Sequence, residues 1–258
     1  MIALFAFVMI FLLGGLALGV ARSLPRLHNV KTVDLAQSAI VIVPAETVAY
    51  LFLLAFMMHI VRLRNRGEPA LWDTWRSYDP QRQERLPAPR EDFLTSVRWN
   101  MPDGVTALGL LAGGAVLAFL SGLFTSLFQK WIPKTLPIDE MFRDRNSAYL
   151  LALFGVLVAP LIEELFFRGF LYPVLAKYLG TQVSIVLTAA LFAVIHQGQL
   201  AHAWVPLAWL FVVGIILTTV RARTKSVANS VLIHIAYNAT LFTLLFIATQ
   251  GFQHMERA

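Results

Sequence analysis

Pro160-Leu161-Ile162-Glu163-Glu164-Leu165-Phe166-Phe167-Arg168-Gly169 sets two adjacent carboxylates and one arginine inside an otherwise apolar run. An ionised side chain in hydrocarbon costs roughly 3 kcal/mol or more, so each of these groups calls for a partner or a task. Glu164 and Arg168 are four residues apart, which makes them neighbours on a helix. Successive helical residues turn by about 100°, so with Arg168 neutralising Glu164, Glu163 faces elsewhere. Glu164 and Arg168 therefore read as a structural clamp, and Glu163 as a carboxylate available for chemistry.

The chain around this stretch is built for a membrane. Of its 258 residues 58% are hydrophobic and 14% charged, outside the range of soluble globular domains. Apolar runs long enough for hydrocarbon predict an all-α polytopic transmembrane bundle of about seven spans. These are Ile2 to Val20, about Ala36 to Ile60, about Gly104 to Phe128, Tyr149 to Leu179, Val183 to Ile195, Trp204 to Val220, and Val227 to Ala248. No basic residue precedes the first run, which reads as a retained span rather than a cleaved leader. Gly109, Gly113 and Gly114 suit close helix packing in the third. Pro160 and Pro173 each remove a backbone N–H, so kinks are expected on both sides of the motif, and Gly180 is the expected helix stop. The polar segment from Arg62 to Asp103 holds eight arginines and seven acids, and Trp72 and Trp75 beside Arg76 suit the headgroup region. The organisation is then N-terminal spans over 1–148 with a cytoplasmic loop at 62–103, a helical core over 149–248, and a tail at 249–258.

There are no cysteines, which removes a disulfide framework, a thiolate nucleophile and a cysteine zinc site. The net charge of +6 falls mainly in loops between apolar runs, pointing to a lipid bilayer rather than nucleic acid as the partner. An inner-membrane protein with its N-terminus in the cytoplasm would place the long loop, the Gly180 turn and the basic Arg221 to Lys225 turn inside, as the positive-inside rule favours.

With Glu163 and Glu164, two further polar sets stand in apolar spans, His196 and the pair His234 and Asn238. Glu163 lies 17 residues before Gly180 and His196 lies 16 after it, so an antiparallel hairpin brings them to one depth. His234 and Asn238 are four apart and share a helix face, roughly 15 to 20 Å from the basic turn. One polar chamber in the cytoplasmic half of the membrane would hold all of them. In it, Glu163 with an imidazole can take a proton from water for attack on a carbonyl, while a second histidine and an amide donate to the oxyanion. Alternatively Glu163, His196 and His234 ligate Zn2+ or another divalent metal that acidifies the water. The bland readings are a kink or interface carboxylate for Glu46, packing histidines for His202 and His254, and packing aromatics for Phe166, Phe167 and Phe192. The rival function is a non-enzymatic scaffold, or a transporter relaying protons through the same cluster.

Glu163-Glu164-x-x-x-Arg168, Phe192-x-x-x-His196 and His234-x-x-x-Asn238 resemble, in order, the three motifs of the CPBP intramembrane proteases. That family includes the Rce1-type CAAX prenyl endopeptidases and the Abi proteins linked to bacteriocin processing. The similarity covers about Tyr149 to Leu245. It implies an intramembrane endopeptidase whose chamber opens to the cytosol and whose substrate is a peptide or membrane protein, lipidated or not. It implies Glu163 and His196 as the water-activating pair, His234 and Asn238 as oxyanion or metal groups, and Glu164, Arg168 and Phe192 as shaping the chamber. The prenyl-processing members are drawn with eight spans, one more than is counted here.

Overall fold

The computed structural model describes residues 19, 23, 38–65, 91–134, 136–142, 145–200 and 203–254. Of the expected first span only Gly19 is described, and His202, Trp72, Trp75, Arg76 and the last four residues lie outside the described set.

The described residues form helices and no strand. In chain order these are α1 (Ala39–Asn65), α2 (Phe93–Val97), α3 (Gly104–Phe128), α4 (Pro137–Met141), the long α5 (Arg145–Leu179), α6 (Thr181–Ile195), α7 (Trp204–Thr224) and α8 (Val227–Ala248). Five of them (α1, α3, α5, α7 and α8) are long and apolar enough to cross a membrane, while α6 is apolar but shorter. With the undescribed N-terminal run, this agrees with the multi-pass bundle of about seven spans expected from the sequence. Asn65 at the end of α1 donates to the Glu91 carbonyl at 2.7 Å and accepts from the Glu91 amide at 3.3 Å, joining α1 to the residues just before α2.

Helix starts and stops follow local chemistry. Asp103 caps α3 by accepting from the Thr106 amide at 3.0 Å, and that bond holds its carboxyl below the usual carboxylate range. Gly180, at φ 75°, ends α5 in a backbone conformation that L side chains resist. The two prolines of α5 act differently from simple kinks. Just before each the helix widens into a π turn, over Phe154–Val158 ahead of Pro160 and Leu165–Leu171 ahead of Pro173. The helix thus absorbs the missing donors by changing its register.

Met57 of α1, Val97 of α2, Leu165, Phe166 and Phe167 of α5, Phe192 of α6 and Val231 of α8 are buried in one core cluster, so these helices converge around the motif. On the other side α3 lies against α8. A Cβ on Gly114 would stand 2.7 Å from Ala236 Cβ, so only glycine allows this approach, whereas Gly109 and Gly113 face open space. Of the three glycines expected to pack, one does.

Candidate active site

The motif splits as its spacing requires. Arg168 Nη1 meets Glu164 Oε1 at 2.8 Å, and both side chains are fully buried. The remaining guanidinium donors reach Thr218 Oγ1 and the Gly214 carbonyl, each at 3.2 Å, on α7. The guanidinium also lies 4.6 Å from the centre of the Phe192 ring, a cation–π contact in a dry setting. Phe192 in turn sets its edge against Phe167 and His234. It is packing, as expected, but packing that holds a cation.

Glu164 Oε1 has a second contact, His234 Nδ1 at 2.9 Å. A carboxylate paired with arginine accepts, so the network assigns the proton to Nδ1 and leaves Nε2 free. That nitrogen stands 3.9 Å from Glu163 Oε2. The clamp thus does more than neutralise charge, because Arg168 fixes Glu164, Glu164 fixes the His234 ring, and the ring presents Nε2 to the second carboxylate.

Glu163, half-buried, lines a cavity of about 410 Å3 with Phe192, His196, His234 and Asn238. The structure therefore brings the four expected chamber residues to one space. His196, the residue that ends α6, places Nδ1 2.7 Å from the Phe192 carbonyl; since a carbonyl only accepts, this ring too turns Nε2 outward. Asn238 has a local duty. In the π register Ala159 donates to the Phe154 carbonyl, and the donor that would serve Gly155 is Pro160, which has none. Asn238 Nδ2 donates to the Gly155 carbonyl at 2.7 Å and fills that gap. One of its two amide hydrogens is thereby spent on the scaffold.

Two residues of α1 enter the site without having been marked for it. Tyr50 donates its hydroxyl to Glu163 Oε1 at 2.9 Å while its ring stacks on Phe154 at 5.7 Å. Glu46, one turn earlier on the same helix, also lines the cavity, which corrects its reading as a kink or interface carboxylate. The available signal was the Glu46-x-x-x-Tyr50 spacing in an apolar run. His254 is not among the lining residues.

The expected depth needs correcting. On α8 the lining runs from His234 through Asn238 and Phe242 to Leu245, and it continues with Ile138, Met141, Gln199 and Leu200. Leu245 is about 27 Å along α8 from Val227, so the cavity occupies the half of the bundle away from the Gly180 and Arg221 to Lys225 turns. A cytoplasmic N-terminus, which puts those turns inside, and a chamber in the cytoplasmic half therefore exclude one another.

Two imidazoles and a carboxylate are chemically suitable for a divalent ion. Among the described residues, however, no group of three His, Cys, Asp or Glu side chains is placed to hold one, the expected set of Glu163, His196 and His234 included.

Fold and site define a multi-pass helical membrane protein with a carboxylate and histidine chamber. Residues 145–240 match the model of the Rce1-like family, described as type II CAAX prenyl endopeptidases, a similarity consistent with the CPBP resemblance. No curated protein and no solved structure matches the chain.

Proposed function

We propose that the protein is an intramembrane endopeptidase of the inner membrane in which Glu163 activates water. The observation that carries this is the pairing of Glu163 Oε2 with His234 Nε2 at 3.9 Å on the wall of the cavity. The gap is too long for a direct hydrogen bond and leaves both atoms free to hold one water at ordinary bond length. Glu163 takes a proton from that water, the hydroxide attacks the peptide carbonyl carbon, the C–N bond breaks, and Glu163 returns the proton to the leaving amine. His196, with Nε2 outward, assists at the water. The second amide hydrogen of Asn238 donates to the oxyanion. A route through a divalent ion would need the donors rearranged, and no step is assigned to it.

The lining is mostly apolar, with Phe142, Phe154, Trp209, Leu241 and Phe242 around the carboxylates. It suits a peptide whose residues beside the scissile bond are hydrophobic or carry a lipid chain. A pool of prenylated and plain peptides, incubated with purified protein and with Glu163→Gln and read by mass spectrometry, tests the proposal. Products from the wild type alone, with a loss of roughly 10²- to 10⁴-fold in the variant, are expected. Equal products from both would sink the role of Glu163 and favour a scaffold or transporter.

A further inference from the structure

At the end of the bundle away from the cavity, Arg221 is 4% exposed and its Nε has no hydrogen-bond partner. No carboxylate among the described residues pairs with it. The charge that acts on it is a second cation, Arg98, and the phenol of Tyr172 is its other electrostatic neighbour. A buried guanidinium beside another cation, with no anion among the described residues, is strongly unfavourable unless something else supplies the negative charge.

The local backbone points the same way. Ser226, the residue before α8, does not cap the helix, because its hydroxyl is used on the Asn100 carbonyl. Val227 donates to the Arg98 carbonyl at 3.0 Å, which brings the two cations and this helix start together. The next two amides, of Ala228 and Asn229, have no acceptor among the described hydrogen bonds. The Asn229 side-chain oxygen is buried and unpartnered too. A helix N-terminus with free N–H groups favours an anion, and here a nine-tenths buried, unpartnered arginine stands beside it.

We infer that Arg221, Arg98 and the first turn of α8 form a binding site for the phosphate of an anionic membrane lipid. The level fits a headgroup, since Arg221 lies in the last turn of the membrane-spanning α7 and the residues after it, Arg223 to Lys225, are exposed. A headgroup that carries hydroxyls as well as phosphate also supplies the donor that the Asn229 oxygen lacks. None of these residues lines the chamber, so the site stands whether or not Glu163 is a catalytic base.

The test uses full-length protein, delipidated in neutral detergent, with its unfolding temperature followed against short-chain phosphatidylglycerol, phosphatidylcholine and inorganic phosphate. Phosphatidylglycerol should raise the midpoint saturably and phosphatidylcholine should not, with the half-saturating concentration at least tenfold higher in Arg221→Gln. If inorganic phosphate reproduces the whole shift, the anion site holds and its occupant is free phosphate rather than lipid. Should Arg221→Gln not fold, the exposed Arg98→Gln must show a severalfold weaker response. Equal responses to the two lipids in the wild type, or an unchanged phosphatidylglycerol response in the variants that fold, would overturn the inference.

Discussion

Glu163 and Glu164 are adjacent in the chain and lead opposite lives. On the Glu164 side Arg168, Thr218, the Gly214 carbonyl, Phe192 and His234 close around a carboxylate with no exposure at all. On the Glu163 side one tyrosine holds one oxygen, and the other oxygen looks across open space at an imidazole. One side is enclosed and dry, with Oε1 carrying both contacts and Oε2 buried without a hydrogen-bond partner, and the other opens on the cavity. A buried ion pair is costly to pull apart, whereas a carboxylate on a cavity wall can meet a water or a substrate.

That contrast can be broken from either side, and the Glu163→Gln experiment removes the open half outright. Arg168→Ala attacks the closed half. It leaves Glu164 buried without its cation and should lower stability by about 3 to 5 kcal/mol, read as a shift of the unfolding transition in detergent. Wild-type stability in this variant would mean that Glu164 is held by something other than the clamp. Tyr50→Phe is gentler, because it keeps the ring stacked on Phe154 and deletes only the hydroxyl. A hydrogen bond to a charged group is worth roughly 1.5 to 3 kcal/mol, so cleavage should slow by about tenfold or more with little change in unfolding temperature. An unaltered rate would show that Glu163 keeps its orientation without α1.

The smallest effect is at the edge of the bundle. Asp103 has a carboxyl pKa lowered by its cap to Thr106, so the folded value lies below the unfolded one. Its contribution is full above about 3.9, the unfolded value, and is lost as pH falls through the folded value. The stability gap between wild type and Asp103→Ala should therefore be present at neutral pH and close in strong acid. A gap that persists in acid would assign the cap to something other than the carboxylate.

Much of this site could be read in the chain because its logic is helical. The four-residue spacing of Glu164 and Arg168, the equal counts from Gly180 to Glu163 and to His196, and the shared face of His234 and Asn238 all survive folding as geometry. What spacing could not show was contact between distant segments. Tyr50 meets Glu163 across 113 residues, and nothing local to either announces it. The π turns were also out of reach, since proline signals a lost donor but not how the helix will absorb the loss. The end of the bundle on which the chamber sits was misjudged because depth was counted from turns, without the lining residues that extend to Leu245.

The π turn over Phe154–Val158 carries one consequence for how the helix is phased. A π turn takes up one residue more than an α turn, so rewinding it as α-helix with every residue kept would turn everything downstream by about 100°. That angle is the offset between neighbouring residues, so the azimuth now held by Glu163 would pass to Ile162 and the carboxylate would leave the cavity wall. Which side chain faces the cavity is thus a matter of winding count, set nine residues upstream by Phe154 and supported by an amide from another helix.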